Sequence, residues 1–143
     1  MTNEEAFRAF IGGWQLVSCI NRHPDGSEDH PIGPDPLGQI MYSLDGHMTA
    51  QLIRTTKAEA APLDLPYVSG WLPDYAGYFG SFTVDAARDL VIHHVTGSSS
   101  PGMVGTDQER RFRFERDKLI LSAEAGADRI EIVWQKRDAA KGE

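Results

Sequence analysis

The chain has 143 residues, with 14 lysines and arginines against 21 aspartates and glutamates, for a formal charge of −7. That is one domain's length, enough to bury roughly 68–70% of the unfolded surface without staples, and the single cysteine, Cys19, excludes an internal disulfide. The acidic balance argues against nucleic acid as a partner, since that role needs a basic face. No run is long and apolar enough to span a bilayer. The N-terminal MTNEEAFRAFIGG is acidic and lacks the apolar stretch of a secretory leader, so the reading is a cytoplasmic protein with no membrane partner.

In chain order, the spacing of Phe7, Phe10 and Ile11 predicts a short amphipathic helix within 1–11, with TNEE supplying its cap and acidic first turn. GG at 12–13 ends it, and from there the period is two. Runs at 14–21, 38–43, 47–54, 78–84, 90–97, 107–115, 118–124 and 129–136 read as eight strands of a single domain spanning 1–143. LDG, DAARD, RD and AGAD make four of the connections short, which favours antiparallel neighbours. Residues 55–77, rich in Pro, Ala and aromatic residues, form a long loop expected to act as a lid carrying Tyr67, Trp71 and Tyr75. Eight antiparallel strands with no helical layer must bury one face, either as a sandwich or by closing on themselves. Closed, they enclose an interior that is filled by side chains or holds one small ligand.

The turn SLDGH sets a register. A type I turn followed by glycine in the left-handed region pairs Ser43 with His47 and Tyr42 with Met48, which puts Ile40, Tyr42, Met48, Ala50 and Leu52 on one apolar, inward face. The same alternation turns Trp14, Leu16 and Ile20 inward and Cys19 outward. Tyr78, Gly80, Phe82 and Val84 point in on the fourth strand, Leu119 and Leu121 on the seventh, and Ile130, Ile132 and Trp134 on the eighth. On the sixth, Glu109, Arg111, Arg113 and Glu115 must face water, which forces Gln108, Arg110, Phe112 and Phe114 inward. An inward guanidinium is costly unless hydrogen-bonded. In LVIHHVT, His93 and His94 point opposite ways, and hydrophobicity barely decides between Val91/His93/Val95 and Leu90/Ile92/His94/Thr96.

GGWQLVS, MYSLDGHMTAQLIR, YFGSFTVD, IHHVTGSSSP, VGTDQERRFRF and VWQKR, in that order, resemble the bacterial and fungal lipocalin-like domain family of the calycin group over about residues 10–137. The resemblance implies an all-β fold, an eight-stranded antiparallel up-and-down barrel with a central cavity. It also implies His93 rather than His94 on the inside, and binding of small apolar molecules. Some lipocalin-like proteins instead cyclise, hydrate or isomerise such molecules, so a cavity enzyme acting on a polyketide- or terpenoid-like substrate is the alternative.

His93, Arg110, Gln108, Tyr42 and Tyr78 then form a polar patch in an apolar interior, the composition of a small-molecule pocket. Met48, Phe112 and Trp134 supply apolar wall, and Trp71 closes from the lid. Arg110 would fix an anionic or carbonyl group, His93 would act as a hydrogen-bond partner or general acid/base, and Tyr42 would donate. These three are the candidate catalytic residues. The competing readings are structural: a satisfied core histidine, packed tyrosines, and an arginine clamped over Trp14 as in many lipocalins. The five histidines show no metal-ligand spacing, and nothing calls for a cofactor. The expected partner is a small apolar or amphipathic molecule, and an exposed β-surface leaves room for a homodimer.

Overall fold

Thr2 starts helix α1 (Asn3–Phe10) with a reciprocal capping box: the Glu5 amide donates to its hydroxyl at 3.1 Å, and its own amide donates to the Glu5 carboxylate at 2.8 Å. The computed structural model describes residues 1–55 and 74–138, together with the backbone of 64–65 and 68–69. Trp71 and Tyr67 lie outside the described residues.

Eight strands follow: β1 (Gly12–Arg22), β2 (Leu37–Tyr42), β3 (His47–Ile53), β4 (Tyr75–Asp85), β5 (Leu90–Ser98), β6 (Asp107–Glu115), β7 (Lys118–Ala125) and β8 (Asp128–Lys136). Each pairs antiparallel with the next, and β8 pairs back onto β1, from Trp14 opposite Lys136 to Arg22 opposite Arg129. The sheet is therefore a closed up-and-down barrel, which removes the strand edges. A two-residue strand, Glu28–Asp29, pairs with the end of β1, and Asp64–Leu65 pairs with Val68–Ser69 in a small separate hairpin. Among the described residues no helix is long and apolar enough to cross a membrane.

The turn between β2 and β3 has the expected form. Gly46 sits at φ 86°, its amide bonds the Ser43 carbonyl, the Ser43 amide bonds the His47 carbonyl, and Tyr42 faces Met48. Ile40, Tyr42, Met48, Ala50 and Leu52 are all buried. On β6, burial alternates as the charges require: Glu109, Arg111, Arg113 and Glu115 are exposed, Arg110 and Phe112 are buried, and Gln108 and Phe114 are half-buried.

The first strand departs from simple alternation. Leu16 faces Trp134 and Ser18 faces Val133, so Val17 is an extra, exposed residue. A bulge of this kind moves every later side chain to the other face. Cys19, expected outside, is therefore fully buried, and Ile20, expected inside, is half-buried. Burial also pushes the Cys19 thiol up to about 12, so it stays a protonated, inert core group. A second bulge interrupts the β4–β5 ladder between Phe79 and Gly80. There a Cβ on Gly80 would collide with the His94 carbonyl, which explains the glycine.

One end of the barrel is plugged. Phe10, fully buried at the end of α1, packs its ring 5.0 Å from Tyr42 and 5.1 Å from both Phe112 and Phe114, while Phe7 stacks on Phe82. The Trp14 indole donates to the Phe10 carbonyl at 2.9 Å and so ties the helix end to β1.

Candidate functional site

Three inward positions on three different strands meet above the aromatic plug. The β2–β3 turn fixes Tyr42 at the end of β2, the alternation of β4 aims Tyr78 inward, and His93 stands on β5 with 1% of its surface exposed. His93 is thus the inner histidine. Its neighbour His94 is outside, between Thr83 at 2.9 Å and Asp107 at 2.8 Å. The Tyr42 hydroxyl lies 2.7 Å from His93 Nε2, and the Tyr78 hydroxyl lies 2.6 Å from His93 Nδ1.

The charge state of this chain follows from burial. Desolvation, reinforced by the Arg110 charge, holds the His93 pKa down at about 3, so its imidazole is neutral. Desolvation raises Tyr78 to about 12 against the opposing pull of Arg110, so the phenol keeps its proton. A neutral imidazole offers one donor and one acceptor nitrogen, so one tyrosine donates to it and the other accepts from it.

Arg110 reaches the same region from β6 and is 5% exposed. Its Nη2 donates to Gln108 Oε1 at 3.1 Å and its Nη1 donates to the Glu109 carbonyl, while Gln108 Nε2 donates to Thr106. The Glu109 bond has a topological origin. Pairing between β6 and β7 stops at Arg111 opposite Ser122, although β7 continues to Ala125. A cleft of about 310 Å³ opens there, lined by Leu90, Glu109, Arg110, Ser122 and Ala123 among others. The guanidinium satisfies a carbonyl that the ladder leaves behind.

Of the expected polar patch, Tyr42, Tyr78 and His93 are joined by hydrogen bonds, Gln108 and Arg110 are joined by their own, and His93 stands opposite Gln108 across the β5–β6 ladder. Met48 is buried, opposite Tyr42 and Gly80. Phe112 packs into the aromatic plug. Trp134 is on the far wall, 1% exposed among Leu16, Leu119 and Ile132, with no hydrogen-bond partner for its Nε1 among the described residues. Lys136 lies over Trp14, with its ammonium 4.5 Å from the ring centroid.

Two buried side chains escaped the reading of the sequence. Arg54, its side chain only 7% exposed, donates to the Pro31 carbonyl at 3.1 Å. The alternation that turns Leu52 inward carries on to Arg54, so the signal was there. Ile32, fully buried, sits in the Pro- and Gly-rich segment after β1, where no period marks it.

The sequence profile of the lipocalin-like domain family matches residues 11–140. No curated protein matches the chain. Among solved structures, one described as a redesigned beta barrel aligns with a TM-score of 0.49 and 11% identity, over 93% of this chain and 96% of that one.

Proposed function

The chain belongs to the lipocalin-like domain family, and from that premise we propose that the barrel interior binds one small, mainly apolar molecule through a hydrogen-bond acceptor set against Tyr42, His93 and Tyr78. The observation that carries the reading is a neutral, buried His93 hydrogen-bonded between two buried tyrosines in an otherwise apolar wall. A core needing only to pack would do as well with apolar groups of the same shape, because a hydrogen-bonded buried pair contributes little net stability. Buried donors in an apolar wall are what orient a ligand. The small side chains of Ala50 and Ala76 flank Tyr78 on the inner wall and keep it low there. The nearby Arg110 charge favours an acceptor that carries partial negative charge, such as a carbonyl.

The same geometry favours one form of catalysis over another. A histidine held at about 3 is a poor general base near neutrality, whereas a neutral phenol donor beside a buried arginine polarises a carbonyl. Any cyclase, isomerase or hydratase activity would therefore rest on carbonyl polarisation by the tyrosines, with His93 orienting them. The test is titration of a fluorescent apolar ketone into the wild type, Tyr78→Phe and His93→Phe. Saturable binding, weakened about 3- to 10-fold by each variant, is expected for loss of one hydrogen bond. No saturable binding to the wild type overturns the reading.

A further inference from the structure

The cleft where β6 and β7 part carries charge that the proposed pocket does not use. Pairing ends at Arg111 opposite Ser122, and the opening of about 310 Å³ beyond it is lined by three arginines, Arg88, Arg110 and Arg111, against two glutamates, Glu109 and Glu124. In a chain of net charge −7 that is a local reversal of sign. The strands bring it about. Leu90 stands opposite Arg111 in the β5–β6 ladder, so the turn that leads into β5 delivers Arg88 to the rim. Alternation puts Arg110, 5% exposed, on the inner face and Arg111 on the outer one, and both line the opening.

The two glutamates do not neutralise the arginines. Among the described residues Arg111 makes no ion pair, and Arg88 makes one, at 3.8 Å to Asp85, which is not part of the lining. Spacing is not the obstacle. Arg113 pairs at 2.8 Å with Glu115, two residues along the same outer face, whereas Arg111, at the same spacing from Glu109, does not pair with it. Arg110 is engaged with Gln108 and the Glu109 carbonyl, so it supplies charge rather than a donor. Ser122, 5% exposed, accepts from Arg129 Nη2 at 3.1 Å, and its own hydroxyl proton makes no bond among the described residues. Low-dielectric walls concentrate the field of such a cleft, and forked guanidinium donors match the oxygens of carboxylate and phosphate.

We infer that the β6–β7 cleft binds an oxyanion, a carboxylate or phosphate group, held by Arg88, Arg111 and the Ser122 hydroxyl over the buried charge of Arg110. Such a site stands whether or not the barrel interior holds a ligand.

The experiment titrates inorganic phosphate and acetate separately into the nitrogen-15-labelled protein, at an ionic strength fixed with sodium chloride so that diffuse attraction is screened. The backbone amide resonances of Glu109, Ala123 and Glu124 report binding. At least one anion should saturate their shifts with a dissociation constant on the order of 1 mM. Saturation by phosphate alone indicates a phosphorylated ligand, and saturation by acetate shows that a carboxylate suffices. Arg88 and Arg111 are exposed, so Arg88→Gln and Arg111→Gln leave the core intact, and each should weaken binding about 3- to 10-fold. Arg113→Gln, on the same outer face but outside the cleft, should leave binding unchanged. Shifts that saturate with neither anion, or that saturate as before in both Arg88→Gln and Arg111→Gln, overturn the site. An equal loss in Arg113→Gln also overturns it, because the attraction would then belong to the surface at large.

Discussion

A neutral imidazole at His93 makes the fold sensitive to acid. An unfolded histidine titrates near 6.5, whereas burial and Arg110 hold His93 at about 3. Between those values the unfolded chain binds the extra proton, so stability rises with pH. The contribution is complete above the unfolded pKa and is lost as pH falls toward the folded one, with a slope approaching about 1.4 kcal/mol per pH unit. His93→Gln keeps a donor and an acceptor but removes the titration. Urea unfolding between about pH 4.5 and pH 7 should show a shallower fall toward acid for the variant than for the wild type; equal slopes would mean that His93 is not buried neutral. The position of Arg110 was legible because its charged neighbours Glu109, Arg111, Arg113 and Glu115 claim the outer face. His93 was not separable from His94 by alternation, since Leu90 and Ile92 are as apolar as Val91 and Val95, and only the family resemblance chose between them. What His93 meets was beyond the sequence altogether, because Tyr42 and Tyr78 lie 51 and 15 residues away along the chain.

Among the elements, the end of β1 carries the opposite pH dependence. His23 follows β1, with Nε2 at 2.8 Å from Asp29 and Nδ1 at 3.0 Å from Asp128. It thereby joins the short strand Glu28–Asp29 to the start of β8, beside the Arg22 contacts to Glu28 and Glu131. Hydrogen bonds to Asp29 and then Asp128 raise its pKa. A raised histidine stabilises fully below its unfolded pKa, and that stabilisation is lost as pH rises through the folded value. Amide protection of Glu28 and Asp29, corrected for intrinsic exchange, should therefore fall in the wild type as pH rises from about 6 through the alkaline limb, and should stay flat in His23→Gln. A flat wild-type profile would remove the histidine from that role. Element boundaries were legible wherever turn chemistry marked them, as at Gly46, and the helix was legible from its cap and period. The Val17 bulge was not, since no glycine or proline announces it. A single extra residue was enough to put Cys19 and Ile20 on the wrong faces.

For the whole molecule, the closing pairs between β1 and β8 are independent of α1, but the state of the interior is not. Eight alternating runs with short connections made an all-β sheet legible, and the family resemblance chose the barrel. The plug was invisible in the sequence because a helix's apolar face does not say which surface it covers. Phe10 enters the barrel end and touches Tyr42, and Tyr42 in turn bonds His93, so α1 forms one floor of the polar site. A chain beginning at Gly12 should keep its strand circular dichroism, since every barrel ladder survives the deletion. It should also bind the apolar dye ANS, because Tyr42, Phe82, Phe112 and Phe114 lose their cover. Water reaching the Tyr42 side reduces the desolvation that depresses His93, so its titration moves up toward the ordinary histidine range and the acid sensitivity weakens. The two effects must appear together if the helix is what keeps the site dry. Dye binding without any change in the acid slope would show that the Tyr–His–Tyr chain is sheltered by the barrel wall alone.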